Sequence, residues 1–242
     1  MITFYDPVLV GLSIVVAIFG SLTALLISSD HDSRLGVRGY AGCLSCYGGI
    51  VMGGSIWSMH FIAMLALHLP VSIGYETWRT ALSLALPIVM TGLSLRIASQ
   101  RLFGVYSLLA GGLLMGLAIS GMHYLGMDAL RGCGVGHAPW GVALAIVWSI
   151  VAATIALWFV FRKRNAVETA VGSVVLGLAI AGMHYTAMFA TSFVSIAEQV
   201  ETAIPLMAKD TLAYTVAAAM VVLCLANFGV MAFARPGPKQ AY

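Results

Sequence analysis

The stretch Met122–Met127, MHYLGM, decides how the chain is read, because Met59–Met64 (MHFIAM) and Met183–Met188 (MHYTAM) repeat it. The motif histidines, His60, His123 and His184, lie 63 and 61 residues apart, and the 17-residue windows ending in the second methionine align without a gap. They read GGIVMGGSIWSMHFIAM, GGLLMGLAISGMHYLGM and GSVVLGLAIAGMHYTAM, with six identical columns: two glycines, an isoleucine, the Met-His pair and the last methionine. At about 100° per residue, Gly53, Ile56, His60 and Met64 share one stripe of a helix, as do Gly116, Ile119, His123 and Met127, and Gly177, Ile180, His184 and Met188. Met59, Met122 and Met183 stand about 100° round from that stripe and reach a common ligand only from a flanking position. A repeat of this period is one structural unit used three times.

The surroundings of the repeats are those of a membrane protein. Of 242 residues, 61% are hydrophobic and 9% charged, with a mean hydropathy of +0.98; a soluble domain carries roughly 25% charged residues. Apolar runs of about 20 residues mark seven spans: about Pro7–Ser28, Tyr40–Leu67, Trp78–Ile97, Leu102–Met127, Trp140–Phe161, Thr169–Thr191 and Thr211–Ala234. The expected fold is all-α, a seven-transmembrane helical bundle with three repeated helix pairs. In each pair the odd span crosses and the even span carries the motif back, and the seventh span stands apart. Residues 1–234 read as one transmembrane domain and 235–242 as a short cytoplasmic tail. Val8–Ile27 has no basic region before it and is long enough to span, so no cleavable leader is expected. Pro87 suggests a kink in the third span. Gly111, Gly112, Gly116, Gly172 and Gly177 are expected to let the even helices pack closely on one another and bring their histidines together. Spacing alone leaves one shared site or three separate sites open.

Basic residues orient the bundle. Arg34, Arg38, Arg96, Arg101, Arg162, Lys163, Arg164, Arg235 and Lys239 fall on one side, Arg79, Arg131 and Lys209 on the other. The richer side is expected in the cytoplasm, which puts the N-terminus outside, the C-terminus inside and the motifs near the outer ends of the even spans. The net charge of +3 belongs to loops and speaks to topology rather than to nucleic acid. Four cysteines are too few and scattered for a disulfide framework. Cys43 and Cys46 read as small helical residues, Cys133 as a lone loop residue and Cys224 as part of a span.

An unpaired imidazole in hydrocarbon is costly, so a histidine inside a span marks a functional site. Neutral imidazole with thioether suits copper, the thioether favouring the reduced ion, and each His–Met pair is spaced i, i+4 so that both donors face one ion. Zinc takes the imidazoles with no need of the methionines, and haem accepts His/His or His/Met axial pairs. A single membrane histidine also serves as an interhelical hydrogen bond, and methionine as packing; three copies in register outweigh that reading. Tyr124, Tyr185 and Phe61 read as interface aromatics or hydrogen-bond partners, and His68 and His137 as loop histidines outside the site.

Three MHY-type motifs near the outer ends of alternate helices in a seven-span bundle resemble the bacterial MHYT sensor domain, over nearly the whole chain. The resemblance implies an integral membrane module that binds copper through Met59, His60, Met64, Met122, His123, Met127, Met183, His184 and Met188 and senses oxygen, carbon monoxide or nitric oxide. Phe61 replaces the motif tyrosine, only the third motif has Thr186 after it, and Pro70 and Pro87 have no secure counterpart. Many relatives of that family continue into a cyclic-di-GMP synthase or hydrolase domain, whereas only Arg235–Tyr242 follows the last span here. The expectation is a non-enzymatic receptor in the bacterial inner membrane that signals to a separate cytoplasmic protein. Two other readings stand beside it. A haem or copper redox protein would show a Soret band or a redox-cycling metal. A copper-handling protein would need ligands across the membrane, for which the inner side offers only Cys43 and Cys46.

Overall fold

The computed structural model describes residues 4–29, 45–99, 104–162, 165–195 and 205–233. Seven long helices carry these residues: α1 (Pro7–Ser29), α2 (Ser45–Ala66), α3 (Thr77–Ala98), α4 (Val105–Asp128), α5 (Pro139–Phe161), α6 (Ala166–Phe189) and α7 (Lys209–Phe233). The first six are long and apolar enough to cross a membrane, and α7 matches them in length at 25 residues. The fold is an all-α membrane bundle. The expected tail at 235–242, Cys43, and the basic residues Arg34, Arg38, Arg101, Lys163, Arg164, Arg235 and Lys239 lie outside the described residues.

Local chemistry sets the helix starts. The Asp6 carboxylate accepts from the backbone N–H groups of Val8 (2.8 Å) and Leu9 (3.3 Å) at the start of α1, where Pro7 has no donor to leave unpaired. Helix α6 begins at Ala166, earlier than the expected Thr169. Asn165 and Glu168 form a capping box there, with reciprocal bonds of 2.8 and 3.0 Å, which satisfies donors that would otherwise be orphaned. Helix α3 runs through Pro87 as one helix. In α2 the residues Gly49–Gly53 form a π-turn, and Gly49 there lies against the Ile88 carbonyl and Gly92 of α3.

Helices α1 to α6 pack in a closed ring in chain order, with α6 returning to α1. Helix α7 does not stand apart as expected. It packs against α2, where a Cβ on Gly54 would meet Leu223 at 3.2 Å, and Lys209 Nζ donates to the Leu67 carbonyl at 3.1 Å.

The glycine columns do permit close approach, but to partners other than those expected. A Cβ on Gly53 would lie 2.6–2.7 Å from the backbone of Pro87 and Ile88 in α3, and one on Gly177 would lie 2.6 Å from the backbone N and Cα of Ile18 in α1. One on Gly116 would collide with the backbone of Ile150 in α5. Gly111 faces Ser94 and Ala98 of α3 and Leu157 of α5, Gly112 faces Thr154 of α5, and Gly172 faces Phe159 of α5 and Leu25 of α1. Each even helix therefore rests its glycine on an odd helix, and the even helices touch one another far less. The expectation failed because packed helices cross at an angle. A stripe facing the bundle centre at the histidine faces the neighbouring odd helix two turns, or about 10.5 Å, lower.

Connections read from sequence as loops hold short strands. Strand β1 (Phe4–Tyr5) pairs with β2 (Leu67–His68), β3 (Gly74–Glu76) with both β4 (Leu130–Arg131) and β7 (Leu206–Ala208), and β5 (Cys133–His137) with β6 (Thr191–Ser195), all antiparallel. All flank the motif ends of the helices and cap that side. Strands of two to five residues are too short to leave a period-two signature. Glu76, 1% exposed, ties the cap together through Arg79 at 3.0 Å and Arg131 of β4. Arg79 also reaches Asp128 at 3.3 Å.

Two predictions follow from this packing. Gly53→Ala, Gly116→Ala and Gly177→Ala should each cost about 1–3 kcal/mol through overpacking against backbone, whereas Gly11→Ala, which has open space around it, should not. Thermal unfolding in detergent reads the difference, and equal melting temperatures would refute the assignment. Glu76→Gln should destabilise by about 1–3 kcal/mol, while Asp128→Asn, whose carboxylate is 63% exposed, should change little in the same measurement.

Candidate metal centre

Each motif histidine sits close to the capped end of its helix: His60 six residues before the end of α2 at Ala66, His123 five before Asp128 and His184 five before Phe189. Equal depth and the closed ring bring them to one point. All three are 0% exposed. The Nδ1 atoms form a triangle with sides of 3.1 Å (His60–His184), 3.2 Å (His123–His184) and 3.3 Å (His60–His123). Ring centroids are 5.0–5.1 Å apart and the ring planes stand at 80–83° to one another, a three-bladed propeller. The three motif histidines thus meet at one point rather than standing apart.

The triangle cannot satisfy itself as a hydrogen-bonded group. A neutral imidazole offers one N–H and one lone pair, and each Nδ1 carries only one of them. With three mutual contacts, at least one joins two donors or two acceptors. The Nε2 atoms give no relief, since all three are buried without a partner among the described residues, and each orphaned group costs about 1–3 kcal/mol. Three lone pairs directed at one cation remove the conflict. The triangle's centre lies about 1.85 Å from each corner, the mean side divided by the square root of three, against about 2.0–2.1 Å for an imidazole–zinc bond. An outward shift of roughly 0.2 Å per ring meets that length. The donor set therefore fits a metal ion. Ligation at Nδ1 fixes the proton on Nε2 and leaves three N–H groups needing acceptors; the Nε2 of His60 faces Gly126, where a Cβ would meet it at 2.5 Å.

The six motif methionines are all interior: Met59, Met64, Met122 and Met127 at 0%, Met183 at 1% and Met188 at 5% exposure. Met64, Met127 and Met188 stand four residues beyond their histidines, about 6 Å further toward the cap by helical rise. Met183 faces inward instead, where it borders a small cavity with Met52, Ile119 and Ile180. Cys46 and Cys224 are exposed free thiols, and Cys133 is buried in β5.

The aromatic residue after each histidine packs edge-on to it: Phe61 on His60 at 4.8 Å, Tyr124 on His123 at 4.9 Å and Tyr185 on His184 at 5.0 Å. Tyr185 also shares a 2.8 Å hydrogen bond with Ser13 of α1. His137, read from sequence as an isolated loop residue, stacks edge-on against Tyr124 at 5.1 Å. Its Nδ1 lies 3.0 Å from Thr191 Oγ1; that hydroxyl donates to the Ala187 carbonyl, so the His137 ring donates to it. Burial holds the His137 pKa below the ordinary imidazole value, against a smaller opposing pull from Asp128. His68 stays out of the centre, with its Nδ1 at the Ala66 carbonyl and its ring stacked on Phe4. Tyr75 of β3 escaped the sequence reading altogether. It is 0% exposed and covers Phe61 at 5.9 Å; burial holds its phenol pKa above the ordinary value. Its membership of a three-residue strand leaves no periodic signal by which to find it.

Comparison with known proteins agrees with this architecture. Residues 53–111 and 116–173 match the MHYT family, described as a bacterial signalling protein N-terminal repeat. These two matches contain the first and second motifs; the third is recognised here by its alignment and its place in the triangle. The chain is 38% identical over 199 residues to the bifunctional diguanylate cyclase/cyclic di-GMP phosphodiesterase MucR of Pseudomonas aeruginosa, covering 80% of this chain and 29% of that protein. It is 34% identical over 194 residues to the cyclic di-GMP phosphodiesterase NbdA of the same organism, and 30% identical over 196 residues to the signaling protein YkoW of Bacillus subtilis. Those alignments cover 77% and 78% of this chain and 24% of each relative. The chain thus spans well under a third of the length of these relatives, and the part aligned is their MHYT sensor region rather than their catalytic domains. No solved structure matches. The chain belongs to the MHYT family of bacterial signalling proteins.

Proposed function

We propose that this membrane sensor holds one copper ion at His60, His123 and His184 and detects a diatomic gas, oxygen, carbon monoxide or nitric oxide, for a cytoplasmic signalling partner. The observation that carries the reading is the Nδ1 triangle, which has no complete hydrogen-bonding solution and suits a single cation. Copper is favoured over zinc by the thioethers of Met64, Met127 and Met188 one turn away, because soft donors select the reduced ion. Met59, Met122 and Met183 flank the site. The bound ion would supply an open coordination position to the gas. The protein's part is to hold the three rings, exclude water by full burial, and couple ring spacing to helix packing. Because each histidine belongs to a different helix, a change in their separation moves α2, α4 and α6 against α3, α5 and α1. Signalling requires that the gas favour one such arrangement over another. The cyclic-di-GMP activities named for MucR and NbdA make that pathway the natural output. The motif side is assigned to the periplasmic face of the inner membrane from the basic-residue asymmetry.

Copper-handling is less well supported, since it requires ligands continuing to the opposite side. A redox role with haem is the alternative that a spectrum decides.

Metal analysis with an optical spectrum of the membrane-purified protein is the primary test. Copper without a Soret band is expected; a Soret band would favour haem, and full metal retention in a folded His60/His123/His184 triple alanine variant would return the motifs to a packing role. Single alanine variants of these histidines should lose tenfold or more in metal affinity, whereas His68→Ala and His137→Ala should retain it. Met64→Leu, Met127→Leu and Met188→Leu keep volume while removing the thioether. They should weaken copper(I) binding several-fold and leave zinc binding unchanged; equal effects on the two ions would remove the argument for copper. For topology, a C-terminal reporter active in the periplasm would reverse the orientation proposed.

A further inference from the structure

The three motifs are alike up to the aromatic residue after the histidine, and differ in what covers it. Phe61 is 0% exposed, closed over by Trp57 at 4.8 Å and Tyr75 at 5.9 Å. Tyr124 is covered by His137 at 5.1 Å. Among the described residues Tyr185 has the more distant edge of Tyr5, at 6.3 Å, and beside the two tyrosines lies a surface-open cavity of about 290 Å³. Its lining is Tyr5, Tyr185, Met188, Phe189, Thr191 and Phe193. The thioethers show the same break in symmetry. Met64 and Met127 are fully sealed, whereas Met188 is 5% exposed and lines the cavity.

We infer that this cavity is the route by which a small neutral ligand reaches the histidine centre, with Met188 as its floor and Tyr5 and Tyr185 as its walls. Met188 lies one turn beyond His184 on the same helical stripe, so a molecule passing the thioether arrives at the His184 ring. Among the described residues the lining carries no ionised side chain. Aromatic rings, a thioether and the hydroxyls of Tyr5, Tyr185 and Thr191 admit a small neutral molecule, and they set no opposite charge against the cost of stripping an ion of its water. The Tyr185 wall is held in place. Ser13 Oγ donates to the Val10 carbonyl at 2.7 Å, so its lone pairs are left to accept from the Tyr185 hydroxyl at 2.8 Å. Tyr5 stands on β1, where Tyr5 pairs with Leu67; its ring can be removed without substituting any residue of the helix that carries His184. The route depends on the proposed function only for what waits at its inner end.

Methionine oxidation by hydrogen peroxide, a small neutral probe, tests the route on the intact chelator-treated protein without any metal. Mass spectrometry should find Met188 converted to the sulfoxide at least tenfold faster than Met64 or Met127. Tyr5→Ala should speed oxidation of Met188 several-fold and leave Met64 and Met127 unchanged, and Tyr185→Phe, which keeps the ring and removes the bond to Ser13, should act in the same direction. Tyr124→Ala should leave the Met188 rate as it is. Equal oxidation of the three thioethers, or a Met188 rate indifferent to both tyrosine changes, overturns the route. In a second measurement, carbon monoxide association with copper(I)-loaded protein, followed by the bound C–O stretch, should quicken several-fold in Tyr5→Ala with equilibrium affinity unchanged. Absence of copper or carbon monoxide binding with the peroxide pattern intact would defeat the proposed function and leave the route standing. Binding with uniform peroxide reactivity would do the reverse.

Discussion

Three imidazoles from three helices meet at one point, and the rest of the fold is arranged to make that meeting possible. A buried ring nitrogen must find a partner, and here each Nδ1 finds only two others of its kind. The helices that carry the rings therefore have to arrive at equal depth, at near-equal angles, and close enough for contacts of 3.1–3.3 Å. The even helices make little contact with one another. Their position is set from outside by odd helices seated on Gly53, Gly116 and Gly177, with Ile88, Ile150 and Ile18 in the corresponding places. The glycine column and the histidine column of the repeat are two halves of one device: one fixes the distance from the outer ring, the other uses the space left at the centre.

That device explains which parts of the fold were legible in the sequence. A pattern repeated three times in register reveals the unit, its stripe and its shared chemistry, because each of those properties belongs to a single helix. His60, His123 and His184 were readable as a set for that reason. Partner choice was not readable. The same glycine supports packing on any helix, and the crossing angle that turns Gly116 toward Ile150 rather than toward another even helix is a property of the assembled ring. Nor does the sequence mark His137 and Tyr75 as neighbours of the centre. They lie on strands too short to have a period, and they approach the motifs only after β3 and β5 pair across long stretches of chain.

The cap is where the internal symmetry ends. Below it, the three repeats do the same work with the same residues; within it, Tyr75 of β3 covers the first motif, His137 of β5 the second and Tyr5 of β1 the third. A symmetric interior suits a task that needs three equal donors, and an asymmetric cap suits one that needs a single side of approach. The substitution of Phe61 for tyrosine belongs with this difference. A phenol buried beneath Tyr75 and Trp57 would add another hydroxyl to a layer that already holds the unpartnered Tyr75 hydroxyl, and phenylalanine avoids that cost.

The ring closes between the first helix and the sixth, through Ile18 and Gly177. The other two glycine seats, Gly53 on α3 and Gly116 on α5, join helices adjacent in the chain and can form as each hairpin is inserted. The last seat joins helices separated by the whole of the intervening chain, so α1 must wait in the bilayer, unpaired on one flank, until α6 arrives. The contact that closes the ring is accordingly the one of greatest sequence separation. A chain halted before α6 would expose the groove of α1 to lipid and would own two imidazoles instead of three. Completion of the ring and convergence of the three imidazoles are then the same event.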